Sequence, residues 1–232
     1  HENLAEVAAM NLPAKSGFGL SLVVLRNVPL FAGLDQSELE KLSRVAGRRR
    51  AERGEFVVRA GEDTDALYIL ISGRAKVTNS DEEGREIILA VLGPGESFGE
   101  MGLIDGSPRS ANVVAQEASE LVVVSKQDFQ RCMQDNFQVA LKLMQVLVRR
   151  LREADRKIES LALLDVYGRV ARLLLEMSQE VNGRRVVVRK VSKQDMARMI
   201  GASREMVSKV MRDLENSGYI QLDGDQLVIL GE

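Results

Sequence analysis

The sequence has no tryptophan, a single cysteine (Cys132) and a single histidine, His1. These absences remove whole classes of chemistry. A jelly-roll metalloenzyme needs a ligand cluster rich in histidine, and a Ser-His-Asp or Cys-His arrangement needs a histidine within the fold. One cysteine cannot hold an iron–sulfur cluster or a disulfide framework. Without an internal histidine, Cys132 and methionine are the poor haem ligands that remain. No enzyme and no metal, haem or iron–sulfur cofactor is therefore expected. Long apolar runs are missing as well: 87–92 and 121–124 are strand-length, far below the ~20 residues of a membrane-crossing helix. No secretory signal pattern opens the chain, and a lone thiol suits a reducing compartment. A cytoplasmic protein with no membrane partner is expected. Aromatics make up only 4% of the residues, so Leu, Val, Ile and Met must build the core.

What is present is organised in blocks. At 232 residues the chain has room for two cored domains. Residues 1–25 show no regular pattern and read as a leader. Asp35, with Glu38 three residues on, predicts a capped helix to about Val45. From Arg53 the pattern shortens to strands at 56–58, 67–71, 75–78, 86–92, 112–115 and 121–124, separated by glycine-containing turns. Short strands at ~8–12-residue spacing predict an antiparallel β jelly roll. Cys132, beside Phe129 and Met133, reads as a core thiol. From Phe137 the period becomes helical. Ala140, Met144, Leu147, Leu151, Ala154, Ile158 and Leu161 recur in alternating steps of four and three. That is the seam of a coiled coil and predicts a homodimer helix.

Residues 166–180 predict a helix that ends near Asn182-Gly183, a helix-stop or turn signal. Ser192 reads as the cap of a helix at 193–200, Gly201 as its end, and Ser203 as the cap of a second helix to about Ser217. Residues 218–222 and 226–230, joined through 223–225, predict a hairpin. Two helices about a glycine turn, followed by a hairpin, make a winged helix-turn-helix. The expected fold class is α+β, with a leader at 1–25, a β-domain at 26–136, a dimerisation helix at 137–162 and a winged helix-turn-helix at 163–232.

Net charge is only −2, but its distribution is uneven. Arg184, Arg185, Arg189, Lys190, Lys193, Arg198, Arg204, Lys209 and Arg212 face only Asp195 and Glu205 over that stretch. Such an excess serves to neutralise phosphates. Arg204, Glu205, Ser208 and Lys209 share the leading face of the second helix, behind Ser203, while Val207, Val210 and Leu214 face the core. Residues at that end of a recognition helix reach base edges in the major groove. Arg and Lys can bond guanine, and Glu can accept from cytosine N4. A dimer would read a palindrome of double-stranded DNA with G·C-containing half-sites, with Lys193 among the DNA contacts.

Three stretches in order resemble the cyclic-AMP receptor and fumarate-nitrate regulator (Crp–Fnr) family, over about residues 25–230. Phe98-Gly99-Glu100-Met101-Gly102-Leu103 with Pro108-Arg109-Ser110-Ala111 resembles the phosphate-binding cassette of cyclic-nucleotide domains. Leu161-Ala162-Leu163-Leu164-Asp165-Val166-Tyr167-Gly168-Arg169-Val170 is similar to the hinge. Ile200-Gly201-Ala202-Ser203-Arg204-Glu205-Met206-Val207 is similar to the recognition-helix signature. The resemblance implies a cyclic-nucleotide ligand: Gly99, Glu100, Met101, Arg109 and Ser110 on phosphate and ribose, and Ala154 and Asp155 where the cyclic-AMP receptor offers a Thr-Ser pair to adenine. Ala154 brings no polar side-chain atom to that place. Cyclic AMP is the first expectation and cyclic di-GMP the alternative. A pocket emptied of ligand, or a nucleotide-binding module that does not act on DNA, are further readings. The resemblance also implies RNA polymerase as a partner, and Lys209 stands where the family commonly has Arg.

Overall fold

The computed structural model describes residues 22–188, 191–223 and 226–230. Most of the expected leader, Arg189, Lys190 and the 224–225 part of the predicted turn lie outside them. Contacts divide the chain into two units. One runs to Arg149 except for 86–88; the other takes those residues and everything from Arg150 onward.

The first unit opens with helix α1 (Leu22–Arg26), a 3-10 turn (Pro29–Phe31) and helix α2 (Gln36–Val45). Asp35 caps α2 as the sequence predicts. Its carboxylate accepts from the Glu38 amide at 2.9 Å, and Glu38 accepts from the Asp35 amide at 2.7 Å. Eight strands follow: β1 (Gly47–Ala51), β2 (Phe56–Val58), β3 (Ala66–Ser72), β4 (Ala75–Ser80), β5 (Glu86–Leu92), β6 (Ser97–Phe98), β7 (Asn112–Ala115) and β8 (Ser119–Ser125), with helix α3 (Met101–Asp105) between β6 and β7. They form two four-stranded sheets in the orders β1-β8-β3-β6 and β2-β7-β4-β5.

Strand β3 is buried on both sides, and its alternation separates two cores. Leu67, Ile69 and Ile71 join Leu25, Phe31, Leu39 and Phe129 in one cluster, whereas Tyr68 and Leu70 join Phe98, Val113 and Leu121 in the other. The first cluster is covered by helices, including α4 (Lys126–Asp135) and the start of α5 (Phe137–Leu163), through Val139 and Leu143. Strands β1 and β6 were not among the expected ones. Gly-Arg-Arg-Arg-Ala has no apolar alternation, and β6 is only two residues long. The seam on α5 stays largely uncovered in the single chain: Met144, Leu151, Ile158 and Leu161 are 46–64% exposed.

The second unit begins along α5 and continues with α6 (Val166–Met177), β9 (Ser178–Val181), β10 (Arg184–Val187), α7 (Lys193–Ile200), α8 (Arg204–Asn216), β11 (Ile220–Asp223) and β12 (Gln226–Ile229). Helix α6 ends at Met177, not near residue 180. Residues 178–181 pair with 184–187 as a hairpin, and β9 and β10 extend the wing into the sheet β11-β12-β10-β9. Asn182 and Gly183 both have positive φ, 52° and 72°. That is the geometry of a primed hairpin turn, so of the two readings of the Asn-Gly pair, helix stop or turn, the turn is the one observed.

Cys132 sits half-buried on α4 against the first core. Burial, aided by the charges of Glu38 and Asp135, pushes its thiol up to about 11. The thiolate is the reactive form. Alkylation by iodoacetamide at pH 8 should therefore run on the order of 100-fold slower in native than in denaturant-unfolded protein. Equal rates would show that α4 does not pack as described.

Candidate functional site

In the first unit the chain leaves β6 through Gly99, whose φ is +83°. It then enters the short α3 and turns back at Gly106, whose φ is +75°. The returning segment brings Arg109 against this turn. The Arg109 backbone is stitched to a neighbouring loop: its N–H donates to Glu62 O and its carbonyl accepts from Gly61 N–H, both at 2.8 Å.

The Arg109 side chain is folded inward. Nη1 donates to Gly99 O at 2.9 Å, and Nη2 donates to Ala66 O at 2.8 Å and to Asp65 Oδ1 at 3.1 Å. The guanidinium carbon lies 5.6 Å from the centre of the Tyr68 ring, which itself stacks on Phe98. Arg109 is 7% exposed and Glu100 1%. Donors not used by these contacts are Nε–H and one Nη1 hydrogen.

Gly99, Glu100, Met101, Arg109 and Ser110 thus come together at one turn. Ser110 and Met101 are exposed, with Ser110 Oγ 3.9 Å from Met101 Sδ. A cleft of about 400 Å3 is lined by Arg49, Arg59, Asp65, Tyr68 and Arg109. Sequence reading missed Asp65, because a single carboxylate in a loop carries no spacing signal. The group fits a phosphodiester with a ribose. Gly99 leaves room that a Cβ would fill by falling on Arg109 Nη1. Arg109 supplies a permanent charge, Ser110 a hydroxyl, and Glu100 an acceptor. Ala154 and Asp155 are exposed positions on the part of α5 that belongs to the second unit.

In the second unit, Ser192 caps α7 by accepting from the Asp195 amide at 3.0 Å, and Ser203 caps α8 by accepting from the Met206 amide at 3.2 Å. Gly201, between them, adopts φ +62° and ends α7. Arg169 Nη1 donates to Ile200 O at 2.7 Å, tying α6 to this turn, a role that sequence did not reveal. Val207, Val210 and Leu214 are buried, while Arg204, Glu205 and Lys209 are exposed and Ser208 is half-buried. Lys193 is exposed at the first position of α7. The Glu205 carboxyl is held below its usual range, first by its own backbone amide and then by the Ser203 hydroxyl. It therefore stands ionised as an acceptor at neutral pH. Met206, 49% exposed beside these polar groups, was not among the expected base-reading residues; its apolar tip suits a thymine methyl. Arg198 and Arg184 have acidic neighbours, Asp195 at 3.9 Å and Asp223 at 3.6 Å.

Two family descriptions match the chain: the cyclic nucleotide-binding domain over residues 48–136 and the Crp-like helix-turn-helix domain over residues 168–231. The CRP-like cAMP-activated global transcriptional regulator of Mycobacterium tuberculosis is 31% identical over 89% of this chain and 94% of its own length. The cAMP-activated global transcriptional regulator Vfr of Pseudomonas aeruginosa is 34% identical over 83% of this chain and 94% of its own. Among solved structures, the c-di-GMP-responsive global regulator CLP of Xanthomonas campestris superposes with a TM-score of 0.73 at 30% identity, covering 85% of this chain and all of that one.

Gly99→Ala tests the lodging of Arg109. A side chain at that φ is strained, and its Cβ displaces the guanidinium. Together these should lower stability by at least ~2 kcal/mol in urea unfolding. An unchanged midpoint would show that Arg109 is not seated on Gly99.

Proposed function

The chain belongs to the Crp–Fnr family of transcription regulators, and we propose that it works as a cytoplasmic homodimer whose β-domain takes up cyclic AMP. Membership makes it a non-enzymatic, cyclic-nucleotide-responsive regulator that binds DNA through its helix-turn-helix. The observation that supports the ligand reading is the buried Arg109 fork seated against the Gly99 turn.

In this reading the unused Nε–H and Nη1 hydrogens of Arg109, with Ser110 Oγ and backbone amides at the start of α3, hold the cyclic phosphate. Glu100 accepts from the ribose 2′-hydroxyl. The nucleotide supplies a phosphate charge and a base edge. Asp155 accepts from an exocyclic amine, with Ala154 beside it. The seam on α5 is covered by the same seam of a second chain, and the dimer presents two α8 helices to a palindrome. Arg204, Glu205, Ser208 and Lys209 read G·C-containing half-sites there, Lys193 neutralises a backbone phosphate, and Ser203 presents the helix. RNA polymerase is the further partner. The division into a leader, β-domain, dimerisation helix and DNA-binding domain at 25/26, 136/137 and 162/163 is part of the same proposal.

Cyclic di-GMP is the second reading. It is favoured by Ala154, which offers no polar atom to adenine, and by the likeness to a c-di-GMP-responsive regulator. The side-chain acceptor Asp155 suits a guanine N1 and N2 edge.

Calorimetric titration with cyclic AMP, cyclic GMP and cyclic di-GMP, repeated on Arg109→Ala, separates these readings. Cyclic AMP binding that the variant loses is the expected result; cyclic di-GMP binding would transfer the proposal to the second ligand. Silence from all three would mark a ligand-independent regulator. Ligand shifts the DNA-binding equilibrium only by its differential affinity for two states. A saturated protein with unchanged operator affinity would therefore overturn the switch.

Two variants test the DNA end. Leu151→Lys, in the exposed seam, should give a monomer by sedimentation and abolish high-affinity operator binding. Lys209→Arg restores a planar donor fork and should sharpen discrimination at one G·C pair by about tenfold. Equal affinity for matched and mismatched sites in that variant would remove Lys209 from base reading.

A further inference from the structure

A second cavity lies within the winged-helix unit. It has a volume of about 260 Å3 and opens between the later turns of α8, the wing strands and the end of α6. Its walls are apolar, with Met177, Met196 and Met211 meeting Leu174 and Leu227. Leu174 and Met196 are each 4% exposed and belong to the core, so the cavity reaches into the interior. At its rim stand Lys193, Arg212 and Glu215, all exposed. Among the described residues neither Lys193 nor Arg212 has an ion-pair partner.

Water is a poor occupant of the inner end, where Leu174, Met177, Met196 and Met211 line the space and the polar groups stand at the mouth. Left empty, such a space forfeits dispersion contacts along its lining. A molecule that fills it therefore stabilises the folded state. Methionine suits such a site, being unbranched and able to shape itself to a flexible chain. Two cations against one carboxylate at the mouth select a negative head group. At roughly 30 Å3 per water molecule in the liquid, the space equals that of about nine waters, enough for a short alkyl chain.

We propose that this cavity binds a medium-chain carboxylate, its tail among Met177, Met196 and Met211 and its head at Lys193 and Arg212. Lys193 is also the residue proposed above to neutralise a DNA phosphate, so the bound carboxylate competes for it. The filled cavity lowers operator affinity. That coupling rests on the DNA-binding reading; the site itself does not.

The test uses the full-length protein labelled at methionine methyls with carbon-13, titrated with octanoate and followed by NMR. The signals of Met177, Met196 and Met211 are expected to shift saturably. Met101 on α3 and Met144 on α5 are the internal controls and stay fixed. Arg212→Gln is expected to weaken octanoate about tenfold and to leave the binding of octanol unchanged. Saturating octanoate is expected to weaken operator binding severalfold in a titration at fixed ionic strength. Three results would overturn the site: signals that do not move, signals that move together with Met101 and Met144, or octanol bound as tightly as octanoate. Shifted signals with unchanged operator affinity would overturn the competition. A protein that binds octanoate but no DNA at all would count against the regulator reading and leave the site standing.

Discussion

A guanidinium buried to 7% exposure, gripped by the Gly99 and Ala66 carbonyls and by Asp65, joins three separate segments of the β-domain. A buried charge is tolerated only where acceptors meet it, so each of those segments must take up its observed conformation. Gly99 has to be glycine to let the fork approach, and the loop at Asp65 has to return to the start of β3. The proposed ligand contacts draw on the donors left over. The Asp65 side chain is 78% exposed, so its share of the grip is screened by solvent and weaker than that of the two carbonyls.

The winged helix solves a different problem with smaller parts. Two serine caps and one left-handed glycine set the angle between α7 and α8. The buried Val207, Val210 and Leu214 then leave the polar side of α8 pointing outward. Arg169 adds a cation at the C-terminal end of α7, where the helix dipole favours one, and its contact with Ile200 connects the residues after the hinge to the turn of the motif. Asp165 caps the start of α6 by accepting from the Gly168 amide, so a change there would be felt at Ile200, four residues before Arg204.

Much of this was legible in the residues. Caps at Asp35, Ser192 and Ser203 have local signatures, because a short side chain needs only the next three amides to do its work. The heptad steps on α5 and the turns of the jelly roll are likewise local. What escaped was defined by partners distant in sequence. Strand β1 is a row of arginines that becomes a strand only because β8 lies beside it, and β9 is polar residues paired through β10. The Asn-Gly pair is compatible with both a helix stop and a hairpin, and only the pairing decides. Within the candidate site, glycine, glutamate and arginine could be named from their motif. Asp65 and Ala66 could not, since their role comes from a contact across 43–44 residues.

Among the described residues, strand β1 forms one border of its sheet, with β8 on one side and no strand on the other. A border strand exposes a row of amides and carbonyls that could recruit another molecule's backbone, and sheets commonly guard it with charge. Here Arg48, Arg49 and Arg50 stand in succession on it. A second copy approaching edge to edge would have to displace these guanidiniums, two of which are held by Glu55 and Glu120. That edge is thereby a poor template for fibre-like stacking.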